Sequence, residues 1–336
     1  MRGRTGRATV GSGAHAAACG KLSPTPVGRQ DVRGGNHLVA QGDHARVEGV
    51  FEEDARALGE LPGAGTLLER MRSENFPVAA GLLPRRVRRH LGALYGFFRL
   101  VDYAGDEAPG DRGTLLDLLD AELGRCYQGT ARTPVLRMLG PTVRECGIPR
   151  ELMAKMIEAN RQDQRVRRYE TFDDLRDYCA LSANPVGEAV LHVFGRPEPA
   201  LISLSDKICT ALQVLEHCQD IREDLEQGRV YLPAEDLKRF GCGDDDLRRA
   251  VAPTKLRGLI RFEVGRARRM LRAGSPLVHL LSGLGSVAVA GYVAGGFATA
   301  AAFEAAGYDP LAVDVRPTRL RTAGEWARTW LVGGGR

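Results

Sequence analysis

The sequence predicts an all-α fold, with helices packed around a central cavity. Three observations lead there. Apolar residues recur at helical spacing, β-branched runs of alternating polarity are nearly absent, and short segments rich in Gly, Pro and Asp punctuate the chain. No internal repeat at a fixed period is present, so one domain is expected, spanning residues 49–322.

The elements follow in order. A helix is expected over 85–101, opened by Pro84. A second, over 114–126, has Leu115, Leu116, Leu118, Leu119 and Leu123 on its apolar side. Helices over 150–168, 172–194, 200–226 and 254–271 follow, with turn chemistry at 129–134, 195–199 and 241–246. Residues 273–303 hold no Asp, Glu, Lys or Arg. The run exceeds the about 20 apolar residues that cross a bilayer. Gly, Ala and Ser dilute it, and it includes Pro276 and His279, so a buried helical pair is preferred to a transmembrane span.

The 336 residues carry 47 Lys/Arg and 42 Asp/Glu, a formal charge of +5. The excess sits in residues 1–47, which hold seven basic and two acidic side chains; the remainder holds 40 of each. A neutral body argues against nucleic acid as a partner. Residues 1–48 lack apolar periodicity and read as a disordered tail, or an over-extended start, in preference to an Arg-rich transit peptide. Residues 323–336 read as a flexible C-terminal tail. The seven cysteines form no CxxC, and with no signal peptide they are expected as reduced thiols in a cytoplasmic protein.

Two constellations carry chemistry. Tyr95, Arg99, Asp102 and Asp106 are spaced 4, 3 and 4 apart, within about 60° of one another on an α-helix, with Glu107 on a neighbouring flank. Gln213, Glu216, Asp220 and Asp224 are spaced 3, 4 and 4, within about 80°. Carboxylates at i and i+4 reach one cation, and such oxygen ligands suit Mg2+, which keeps waters and binds substrate phosphates. A solvated acidic face explains a single motif equally well. The flanking Leu94, Phe97 and Phe98, and Leu212, Leu215 and Ile221, argue for buried helices instead. Two acidic faces brought together repel unless cations lie between them. Mg2+ ions bound to a diphosphate resolve that repulsion.

Three segments stand in order: Tyr95-Gly-Phe-Phe-Arg-Leu-Val-Asp-Tyr-Ala-Gly-Asp-Glu107, Ser182-Ala-Asn-Pro-Val-Gly187 and Gln219-Asp-Ile-Arg-Glu-Asp-Leu-Glu-Gln-Gly-Arg-Val-Tyr-Leu-Pro233. Through them, residues 67–320 resemble the squalene and phytoene synthase family. The resemblance implies an isoprenoid synthase helical bundle, Mg2+ as cofactor and a prenyl diphosphate as substrate. It implies Asp102, Asp106, Glu107, Glu216, Asp220 and Asp224 as metal ligands. Tyr95 and Tyr178 match cavity-lining aromatics whose π faces stabilise a passing carbocation, and they join the four aspartates as the catalytic set. Arg99, Arg229, Gln213, Tyr231, Asn75 and Phe76 fall at the substrate. Pro185 is expected to bend its helix and open room for a chain.

A finer likeness rests on Glu74-Asn-Phe-Pro-Val78 before Leu82-Leu-Pro84. It looks like the hydroxysqualene-forming branch, whose members ionise presqualene diphosphate, rearrange it and capture water. A sister enzyme supplies that substrate, and a flavin-dependent reductase consumes the product. Relatives that condense two farnesyl diphosphates carry a basic residue where Glu74 aligns. Condensation, phytoene synthesis and a catalytically decayed helical scaffold are the alternatives; four intact aspartates speak against the last. The chain departs from its relatives at Tyr103, where a second Asp is common, at Glu216, where Asn is common, and at Gln219, where some carry a more basic residue.

Three other features carry less. Gly283-Leu-Gly-Ser-Val-Ala288 matches a dinucleotide fingerprint, but no strand precedes it. His217 is expected on another face of its helix, as a polar core residue. Arg85, Arg86, Arg88 and Arg89 make a solvated helix face, or a peripheral contact with an anionic membrane surface.

Overall fold

The computed structural model describes residues 83–318, 322–326 and 329. Helix α1 (Arg85–Asp102) runs into a π-turn (Tyr103–Glu107). Helices α2 (Arg112–Gln128), α3 (Pro134–Glu145) and α4 (Arg150–Arg165) enclose with α1 a core that includes Phe97, Leu116, Leu136 and Met153. Then come α5 (Phe172–Ser182), α6 (Asn184–Val193), α7 (Pro199–Gln219) and α8 (Ile221–Glu226). Two short helices, α9 (Ala234–Arg239) and α10 (Asp244–Leu247), lead to α11 (Thr254–Gly274), the single turn α12 (Leu277–Leu280) and α13 (Gly283–Ala305). Leu215, Leu259, Leu271 and Phe303 belong to a second core, where α7 packs along α11 and α13. Among the described residues there is no β-strand, only one parallel bridge between Arg168 and Val230.

Local chemistry sets several boundaries. Asp111 caps α2 by accepting from the backbone of Gly113 and Thr114. Thr171 and Asp174 form a capping box at α5. Each such cap stabilises its helix by about 1 kcal/mol. Gly129 ends α2 in the left-handed region, at φ 78°.

The structure differs from the sequence reading in four places. Helix α3 was not expected, because Gly140 and Pro141 interrupt its pattern; Pro134 starts it and its apolar face is buried regardless. The helix expected over 150–168 stops at Arg165, since Arg167 turns its carbonyl to the Val230 amide (2.9 Å). The 172–194 helix is broken at Ala183 (φ −114°) instead of bent, with Pro185 in the first turn of α6. The 200–226 helix is broken at Asp220 (φ −97°, ψ 20°).

The apolar run after 273 forms two helices, the single turn α12 and the long α13. Helix α13 is long and apolar enough to cross a bilayer, yet 56% of its most apolar window is buried inside the protein. Gly285, within the fingerprint-like run, packs against the Phe194 ring, and α12 precedes it. Residues 322–326 are helical, and Trp326 donates to the Val287 carbonyl (3.3 Å). The six cysteines among the described residues are free thiols.

Candidate active site

Helix α1 is enclosed from His90 to Asp102, so Tyr95, Arg99 and Asp102 are buried on it. The helix then widens: Ala108 N–H bonds the Tyr103 carbonyl five residues back (2.8 Å). The α-helical face projected through Asp106 therefore ends at Asp102, and the π-turn sets the directions of Asp106 and Glu107. Helix α4 holds this turn. Gln164 donates to the Gly105 carbonyl (3.0 Å), and a Cβ at Gly105 would overlap the Asn160 amide. Arg99 lies 3.8 Å from Asp102 and 3.6 Å from Glu107. Glu107 is thus a partner of the first motif, not a flanking residue.

The second motif bends where α7 ends. Asp220 is the break, and Asp224 comes back beside α7, 5% exposed. That return corrects the reading of His217. Its Nδ1 is 3.8 Å from Asp224, its ring stacks on Tyr231 at 3.9 Å, and its Nε2 is 3.4 Å from the Gln213 amide. His217 is a buried polar residue, as expected, but its i, i+4 contact with Gln213 and the return of the chain at Asp220 put it beside the second motif. Gln219 donates to the Val315 carbonyl and Arg222 to the Leu311 carbonyl (2.6 Å), so both serve packing of the C-terminal segment.

A buried ion pair ties the first motif to the segment that follows the second. Arg229, just beyond α8, donates to Asp106 at 2.8 Å, with both side chains almost fully enclosed. Burial works against the Arg229 charge, but Tyr231, Asp106 and Asp163 outweigh it and raise its pKa further. The Arg229 Nε and the Gln213 Oε1 are buried without a hydrogen-bond partner. A donor and an acceptor left open beside carboxylates fit a hydrated metal–diphosphate, which offers both kinds of partner. Among the described residues, no three His, Cys, Asp or Glu side chains are gathered closely enough to hold a metal ion by themselves. Asn75 and Phe76, like Glu74, lie outside the described residues.

Tyr178 and Tyr231 both donate to Asp163, at 2.7 Å to different oxygens. Sequence reasoning missed Asp163. Its only signal was an acid on the apolar side of a helix that also buries Met156, Ala159 and Asn160.

An apolar cavity lies one helical turn away, lined by Gly187, Ser205, Cys209, Leu212, Leu277 and Tyr292 among others. A Cβ at Gly187 would overlap the Ser205 hydroxyl, so the glycine keeps α6 close to α7. On α7 the cavity stripe of Ser205, Cys209 and Leu212 continues at helical spacing into Glu216 and Asp220. Apolar lining and acidic end thus share one face of one helix.

A helical bundle with two acidic motifs at the polar end of an apolar cavity is an isoprenoid synthase. The chain belongs to the squalene/phytoene synthase family, whose model matches residues 70–323; its members are prenyl diphosphate transferases and lyases. It is 34% identical to a hydroxysqualene synthase of Sinorhizobium fredii, over 64% of this chain and 74% of that protein. A phytoene synthase of Mycobacterium tuberculosis is 31% identical over 63% of this chain and 72% of its own length. The crystal structure of squalene synthase HpnC from Alicyclobacillus acidocaldarius superposes with a TM-score of 0.68, at 42% identity, covering 75% of this chain and 98% of that one.

Proposed function

We propose that this protein is a hydroxysqualene synthase. It converts presqualene diphosphate and water into hydroxysqualene and diphosphate. The observation that supports this is the Arg229–Asp106 contact (2.8 Å), which ties the first acidic motif to the segment just beyond the second, together with the apolar cavity that α7 lines at Ser205, Cys209 and Leu212. The likeness of the 74–78 block to the hydroxysqualene-forming branch, and the identities to a hydroxysqualene synthase and to HpnC, support the choice within the family.

Asp102, Asp106, Glu107, Glu216, Asp220 and Asp224 would hold Mg2+, which supplies positive charge against the leaving diphosphate. The open Nε of Arg229 and the buried Arg99 add donors for diphosphate oxygens. Ionisation breaks the carbon–oxygen bond and leaves a cyclopropylcarbinyl cation. Tyr178 and Tyr231 present electron-rich rings to it, and the apolar lining excludes bulk water while it rearranges. One water then adds to the cation, and its proton leaves to the diphosphate or to solvent. The substrate is supplied by a condensation of two farnesyl diphosphates, and the product is consumed by a reduction.

A second reading, condensation in the manner of a phytoene synthase, rests on the match to that enzyme at 31% identity. Diphosphate release separates the two. The expected outcome is Mg2+-dependent release from presqualene diphosphate, abolished by chelation, with little from farnesyl or geranylgeranyl diphosphate. The reverse preference overturns the assignment. Peripheral membrane contact through the arginine cluster is part of the proposal; Arg85, Arg86, Arg88 and Arg89 are all exposed, with Arg86 and Arg89 paired to Glu145.

A further inference from the structure

We propose that Asp163 is a positioning residue of the reaction: one buried carboxylate fixes the Tyr178 and Tyr231 hydroxyls so that both phenols offer rings and oxygen lone pairs, never protons, to the reacting cation. The inference rests on the prenyl-diphosphate reading above.

Asp163 is 2% exposed, on a helix that also buries Leu152, Met153, Met156, Ile157 and Ala159 and, of polar side chains, Asn160. A carboxylate enclosed there is strongly unfavourable unless it is hydrogen-bonded. It receives one phenol on each oxygen, Tyr178 on Oδ2 and Tyr231 on Oδ1, both at 2.7 Å. The two tyrosines come from different elements, α5 and the segment after α8, 53 positions apart in sequence. Their rings stand 5.4 Å apart.

Each phenol reaches one end of the site. Tyr231 stacks on His217, which lies 3.8 Å from Asp224 of the second motif. Tyr178 is on α5, which ends just before Ala183, a residue of the cavity wall. The pair therefore stands between the diphosphate end and the chain end, along the path of the migrating charge. A hydroxyl that donates to a carboxylate turns its lone pairs outward and enriches its ring, which strengthens attraction to a cation. Burial and Asp163 also hold both phenols well above their ordinary pKa, so they stay un-ionised and are not consumed as bases.

The test uses the full chain and whichever of presqualene or farnesyl diphosphate the wild-type protein consumes. A wrong substrate assignment then shows in the wild type, and a wrong Asp163 assignment only in the variants; a wild type that consumes neither overturns both. Asp163→Asn keeps the shape but accepts fewer phenol bonds. The expected result is a kcat lower by about 10- to 100-fold with KM within about twofold, and a larger share of prematurely quenched alcohols. In a Tyr178→Phe/Tyr231→Phe background the same substitution is expected to cost less than about twofold, because the groups it acts through are gone. Equal losses in both backgrounds, or a wild-type product ratio in Asp163→Asn, would make Asp163 a packing residue and overturn the proposal. Should Asp163→Asn lose its cooperative melt, Tyr231→Phe alone is read: a shifted product ratio is expected, and an unchanged one overturns the proposal.

Discussion

Gly105 has no room for a side chain, because Asn160 of α4 occupies the space a Cβ needs. Its smallness lets α4 grip the π-turn that carries Asp106 and Glu107. Gly105→Ala is expected to destabilise the fold by about 1–3 kcal/mol through overpacking and to slow turnover at least about tenfold. Urea unfolding and diphosphate release measure the two effects, and Asn160→Ala in the same chain should restore part of both by making room. At Asp102 the outcome differs. Asp102→Asn keeps the volume and removes a charge from the transition state, so kcat should fall by about 100-fold or more with the melting temperature little changed. Near-normal turnover at saturating Mg2+ contradicts its role as a ligand.

Among elements, the junction of α9, α11 and α5 has its own charge problem. Arg266 lies 2.8 Å from both oxygens of Glu263 and 2.9 Å from Asp236, beneath the Phe172 ring at 4.0 Å. One cation faces two carboxylates. Burial, with Asp236 adding to it, pushes Glu263 up to about 8 despite Arg266. The folded state therefore binds a proton that the unfolded chain has released, and this contribution to stability is lost as pH rises from the ordinary glutamate range through about 8. Glu263→Gln should flatten that decline: melting temperatures measured from about pH 6 to about pH 9 should fall less than in the wild type. A steeper or equal fall contradicts the raised Glu263 pKa. The helices themselves were largely legible, because apolar spacing decides which face is buried. Their interruptions were not. The π-turn after Asp102, the breaks at Ala183 and Asp220, and the Pro141-bearing helix α3 are all settled by tertiary contacts that spacing does not encode. The same holds for the site: the acidic motifs could be read as local patterns, whereas Arg229–Asp106 and Tyr231–Asp163 join residues 123 and 68 positions apart.

At the scale of the whole molecule, cavity and acidic motif are continuous along α7. The α7 face that lines the apolar cavity at Ser205, Cys209 and Leu212 ends in Glu216 and Asp220, so on the proposed reading a prenyl chain in the cavity would carry its diphosphate toward the acidic end. Water exclusion along the chain and charge neutralisation at its head are then built into one bundle. The account requires the carbon–oxygen bond to break first and water to add to carbon afterwards. Mass spectrometry of the product formed from presqualene diphosphate in oxygen-18 water tests this most directly. The account predicts hydroxysqualene with one oxygen-18 in its hydroxyl, formed without NADPH. Presqualene alcohol carrying the substrate's own oxygen, or squalene as the product, would contradict it.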